Sequence, residues 1–132
     1  MHVLRRVYRA VRPGGLVLDV HPLGLDFAVR AGRRGLGFVD TSRFAAVLEA
    51  MNEGLAQTIA EGLFEELQTL RRHVSERFDD AAEALEEVET WEHLRLPAAV
   101  RRRLRSATET PVEFVDTVRY RLLSRRSLPR RV

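Results

Sequence analysis

The tripeptide Pro13-Gly14-Gly15 constrains this chain more than any other feature. Proline lacks the N–H that an α-helix needs, and glycine enters positive φ without strain, so no helix continues through these residues. Before them, Val3, Leu4, Val7, Tyr8 and Val11 recur at three- and four-residue intervals, with Arg5, Arg6, Arg9 and Arg12 between them. That spacing predicts an amphipathic helix. After them, Leu16-Val17-Leu18-Asp19-Val20 is a nearly continuous apolar run, which predicts a short strand covered on both faces and ended by His21-Pro22. Such a helix, turn and strand ordinarily sit in the middle of an α/β layer, and here they come first.

Farther on, Leu25 to Arg30 and Leu36 to Asp40 flank Ala31-Gly32-Arg33-Arg34-Gly35. A β-hairpin follows, with Gly32 and Gly35 supplying the turn. Asp40, Thr41 and Ser42 are N-cap candidates for a long helix whose stripe runs through Phe44, Val47, Leu48, Met51, Leu55, Ile59 and Leu63. The stripe is read as core packing. Leu67, Leu70, Val74 and Phe78 suit either a continuing helix or a strand. Asp80 and Glu83 form a capping box before a short acidic helix carrying Ala81, Leu85, Val88 and Trp91. Pro97 suits the first turn of another helix, in which Val100 and Leu104 face inward. From Val112 to Leu123 the apolar residues alternate through Phe114, Val118, Tyr120 and Leu122, with Asp116 the exception, which predicts a last strand. The mixed order points to an α/β to α+β fold, a single mixed sheet with flanking helices. One domain over residues 1–123 and a basic tail over 124–132 are expected.

At 132 residues the chain has room for one modest core. It has no cysteine, which excludes disulfides, thiolate metal sites and a cysteine nucleophile. All 22 basic residues are arginine, and the net charge of +3 is too small to argue for nucleic acid. Ser75 to Glu92 carries eight acids against one arginine, and Arg95 to Val132 eleven arginines against three acids. Pairing within the fold is the expected use of these blocks. Only Phe114 and Tyr120 interleave with the arginines, too few for stacking on bases. Arginines interrupt the first residues and no run of 18 apolar residues exists, so neither signal peptide nor membrane span is expected, and a cytoplasmic location is.

His2, His21, His73 and His93 show no i, i+3 or i+4 spacing, so no metal site is expected. Ser42, Ser75 and Ser106 lack a nucleophile elbow. Asp19 and His21 are the candidate catalytic residues: they lie at the carboxyl end of a strand, two apart and therefore on one side, where a carboxylate and an imidazole can form a general base. Asp19 accepting hydrogen bonds from the adjoining turn is the structural alternative.

Leu4-Arg5-Arg6-Val7-Tyr8-Arg9, then Arg12-Pro13-Gly14-Gly15, then Leu16 to Val20, resemble class I S-adenosylmethionine-dependent methyltransferases of the small-molecule type. There a helix leads through an Arg/Lys-Pro-Gly-Gly turn into the fifth sheet strand. Arg77 to Val88 is similar to the family's penultimate strand and helix junction, and Phe114 to Leu123 to its closing strand, which inserts antiparallel at the sheet edge. The resemblance implies a strand over roughly Gln68 to Arg77, a substrate-side insertion made of the hairpin and long helix, and a chain corresponding to the C-terminal half of the fold.

S-adenosylmethionine is implied by the family only. The family holds it with a glycine-rich loop after the first strand and an acidic residue ending the second, and neither has a counterpart here. No cofactor-binding residue is therefore assigned, and Pro13, Gly14 and Gly15 correspond to a structural turn. A methyltransferase-related protein, inactive alone, is expected, with a second copy or a separate cofactor-binding half as partner, because a half sheet exposes strand edges. The alternative is a small α+β oligomerisation or binding module with a basic face for an acidic partner.

Overall fold

The structure, a computed structural model, describes residues 2–127; residues 128–132 of the expected tail, and the His2 side chain, lie outside the described residues. In chain order the elements are α1 (His2–Ala10), β1 (Leu16–Pro22), β2 (Ala28–Ala31), β3 (Arg34–Phe38), α2 (Ser42–Ala60), β4 (Phe64–Phe78), α3 (Ala81–Glu89), α4 (Ala98–Ser106) and β5 (Val112–Arg125). The strands form one open sheet of order β1-β5-β2-β3, with β4 also paired to β5. The fold is mixed α+β with an antiparallel sheet and flanking helices. Its residues gather into two compact units, one of Met1–His21, Val47–Arg71 and Arg119–Val132, the other of Pro22–Ala46 and Arg72–Val118.

In the first unit, α1 ends where the sequence requires. Gly14 has φ +75°, and a Cβ on Gly15 would lie 2.5 Å from the Val11 side chain and 2.8 Å from the Arg12 carbonyl, so the reversal admits only glycine there. Gly14 donates to the Arg125 carbonyl at 3.0 Å and Arg125 donates to that of Gly15 at 2.9 Å, which sets β1 antiparallel to β5. Arg126, the next residue, donates to Leu63 at 2.9 Å. Successive residues of a strand bond to opposite edges, so β5 lies between β1 and β4. Leu55, Leu63, Phe64 and Leu123 form the core of this unit, with Leu4, Val7, Tyr8, Val17 and Ile59 packed on it. The Tyr8 ring meets Phe64 edge-on at 5.8 Å, and the Arg125 guanidinium lies 4.2 Å above Tyr8.

Three expectations change here. β1 is covered on one face only: Leu16, Leu18 and Val20 are 61, 60 and 47 % exposed, while Val17, Asp19 and His21 are half-buried. A continuous apolar run is ambiguous between a strand buried twice and an edge strand with an uncovered apolar face, and the second holds. The long helix stops at Ala60, so Leu63 packs from the loop after it. Met51, expected in the core, is 41 % exposed.

In the second unit, β2 pairs antiparallel with β3 and with the start of β5. The hairpin is tighter than expected: Gly32 takes φ +56° at the turn, whereas Gly35 lies within β3 opposite Arg30. Gly37, at φ +130°, lets β3 approach α4 so closely that a Cβ would sit 2.7 Å from Val100. Val29, Leu36, Phe78, Val88, Leu104 and Phe114 are among the buried core residues, and Phe114 stacks against Phe78 and Trp91 at 5.0 and 5.4 Å. Asp80 caps α3 by accepting from the Glu83 N–H at 2.9 Å, and the Glu83 carboxylate reaches back to the Asp79 N–H at 2.7 Å, one residue before the partner of a standard capping box.

The buried positions of β5 move from even, Val112 and Phe114, to odd, Arg119 and Leu123. The change of parity falls between Phe114 and Arg119. It corrects the even alternation expected through Val118, Tyr120 and Leu122, which are only half-buried. Asp116 lies inside the shift, half-buried, accepting from the backbone N–H groups of Thr117 and Gly24. Burial outweighs those bonds and raises its pKa above the ordinary carboxylate value.

Truncating the fully buried Leu123 to Ala should cost about 2–5 kcal/mol in denaturant unfolding. A raised folded-state pKa means that the folded state binds the proton more tightly than the unfolded one. Ionised Asp116 therefore weakens the fold above its folded pKa, and the penalty vanishes below the unfolded value near ~4. Thermal melts should show Asp116→Asn above wild type at neutral pH, with the gap closing as pH falls through that window.

Candidate functional site

The carboxyl end of β1, the side of α2 and the middle of β5 surround a cleft of ≈ 260 Å³ in the first unit. Its walls are apolar, formed by Val3 and Leu4 of α1 and by Ala50, Met51 and Leu55 of α2. Its polar groups are Asp19, His21 and Arg119. The two candidate residues are thus brought together: His21 Nδ1 lies 2.9 Å from Asp19 Oδ1, and both side chains are 14 % exposed. The two atoms are close without forming an aligned hydrogen bond: Nδ1 has no bond of good geometry, and the other carboxylate oxygen, Asp19 Oδ2, is buried without a donor. Gly54 of α2 also lines the cleft.

Arg119 was not legible as a site residue. It is 6 % exposed, with its NH2 group donating to Asn52 Oδ1 at 2.6 Å and its Nε buried without an acceptor. It takes part in none of the ion pairs found among the described residues. Burial, followed by repulsion from Arg121, holds its pKa below the usual guanidinium range, and Asp19 and Glu66 oppose the shift. Read as odd positions, Arg119, Arg121, Leu123 and Arg125 form a covered row. That row is the signal that the even alternation concealed.

Arg121 approaches Glu66 at 4.0 Å, and Arg125 bonds to the Val11 carbonyl. Each retains a buried Nε without a hydrogen-bond acceptor. The first unit therefore places three arginines on the covered side of one strand. A charge in such a place is costly unless it is matched by hydrogen bonds or an anion.

The remaining candidates lie apart. His73 contacts the Thr117 hydroxyl at 3.4 Å in the second unit, and no group of three metal-ligating side chains occurs among the described residues. The acidic and basic blocks meet in that unit through Arg101–Glu89 at 2.9 Å, a partly exposed pair of modest value. Of the glycine stretches, Gly15 is closed by its own helix end, and Gly32 turns the β2–β3 hairpin. Among the described residues no helix is long and apolar enough to cross a membrane.

No family model, curated protein or solved structure matches the chain.

Asn52 supplies the acceptor that holds Arg119 in place. Replacing it with Ala should lower stability by about 1.5–3 kcal/mol in urea titration, the scale of a hydrogen bond to a charged group.

Proposed function

We propose that the chain is a methyltransferase-related module, the substrate-side C-terminal portion of a class I fold, which transfers no methyl group alone. The observation carrying this reading is the strand arrangement of the first unit: β5 lies antiparallel between β1 and β4, and β1 is entered through α1 and the Arg12-Pro13-Gly14-Gly15 turn. The sequence resemblance implies a closing strand inserted antiparallel at the sheet edge; β5 agrees in direction but departs in place, since it stands inside the sheet. The cleft at the end of β1 then lies on the substrate side.

The reading also accounts for the uncovered face of the first unit. Leu16, Leu18, Val20 and Leu67 are exposed there, and Tyr120 and Leu122 are half-covered. The occupant we assign to it is a second copy of the chain. These six side chains carry no formal charge, so two copies meet without burying an unpaired ion, and the free outer edge of β1 pairs with its own mate across a twofold axis.

Light scattering at low micromolar concentration should give a dimer mass, and Leu18→Glu should give a folded monomer. A monomeric wild type removes the second copy as occupant. Calorimetric titration with S-adenosylmethionine should give no binding heat with the folded protein, while micromolar affinity would overturn the assignment of a module inactive alone.

A further inference from the structure

Three buried polar atoms of the cleft lack hydrogen-bond partners; His21 Nδ1 at least lies against Asp19 Oδ1 at 2.9 Å, which leaves two demands for a ligand to answer. Arg119 Nε is a buried donor without an acceptor, and Asp19 Oδ2 is a buried acceptor without a donor. Both side chains line the same apolar space. A ligand that answers both carries an anion and a donor on adjoining atoms, with an apolar body behind them. We propose that this cleft binds an apolar α-amino acid as its zwitterion. The carboxylate sits on the Arg119 guanidinium, the ammonium on Asp19, and the side chain against Leu4, Met51 and Leu55.

Size and charge narrow the ligand to this class. The ≈ 260 Å³ cleft exceeds the ~150 Å³ of a cavity that takes up benzene, so a branched or aromatic side chain fits. A phosphate dianion is disfavoured, because one guanidinium faces it beside the Asp19 carboxylate. A simple fatty acid would leave Asp19 Oδ2 without a donor, and unmet buried groups are strongly selected against in recognition.

Gly54 adds an independent observation. Glycine within a helix is less stable than alanine by about 1 kcal/mol. A Cβ at Gly54 meets nothing within 4 Å, so the packing of the fold does not call for a glycine there. What a methyl group would occupy is space in the cleft. Gly54 keeps that space open for the ligand at a cost to helix stability.

The site stands independently of the methyltransferase reading and is tested without S-adenosylmethionine. The folded chain is titrated calorimetrically with L-leucine and L-phenylalanine, then with N-acetyl-L-leucine, which lacks the ammonium, and L-leucinamide, which lacks the carboxylate. At least one free amino acid should bind, and each blocked analogue should bind at least tenfold more weakly than leucine. Gly54→Ala should raise the melting temperature while weakening binding. Arg119→Met should abolish binding, and if that variant does not fold, Met51→Trp, at a partly exposed position, fills the cleft and should do the same. No binding by the folded wild type at millimolar ligand, equal affinity for either blocked analogue, or unchanged affinity in Gly54→Ala would each overturn the proposal.

Discussion

Strand β5 bears the main constraint of the fold, since β1, β2 and β4 all take their hydrogen bonds from it. Backbone groups leave a strand on alternate edges, so fourteen residues have to serve three partners while still presenting apolar side chains to a core. A strictly alternating strand meets one such demand. The shift between Phe114 and Arg119 resolves the conflict, with Val112 and Phe114 buried at one end and Leu123 at the other. Asp116 lies where the alternation breaks, and there it accepts from the backbone N–H groups of Thr117 and Gly24.

The same shift turns arginines toward the covered side. Each is met differently: Arg119 by a neutral carboxamide, Arg121 by a distant carboxylate, and Arg125 by a carbonyl and an aromatic ring. None has the bidentate carboxylate partner that most effectively offsets the loss of water. Apolar residues of similar volume would satisfy the core with less penalty. Arg119, the one of the three that lines the cleft, is thus better explained by what it presents there than by what it adds to stability.

Local chemistry was legible in the sequence wherever it acted alone. The Pro13-Gly14-Gly15 break, the Asp80 cap and the long helix over Ser42–Ala60 follow from residues within a few positions of one another, whereas the strand Phe64–Phe78 does not, since its apolar spacing suits a helix as well. The Asp19–His21 pair followed from strand periodicity and the position at a strand end. Which face of an element is covered depends on distant residues, and there the reading failed: Leu16, Leu18 and Val20 have the composition of a buried strand but no cover. Arg119 was hidden because which side of β5 is covered is decided by distant residues, and the buried positions change parity along the strand. Asn52 had no signal, since a polar residue on a long helix is ordinarily solvated.

The pairing of β1 with β5 has a consequence for how the molecule is made. Gly15 and Arg125 are joined although they lie far apart in the sequence, so β1 is synthesised well before the strand it pairs with. Throughout that interval its leucines and valines are bare. The fifteen-residue β4 is guarded by charges such as Glu65, Glu66, Arg71 and Arg72, which discourage annealing with other strands, whereas β1 between Leu16 and Val20 carries a single acid on its half-covered side. The segment with the fewest charged guards therefore waits unpaired while its partner strand is made, and until then it is open to annealing with other chains.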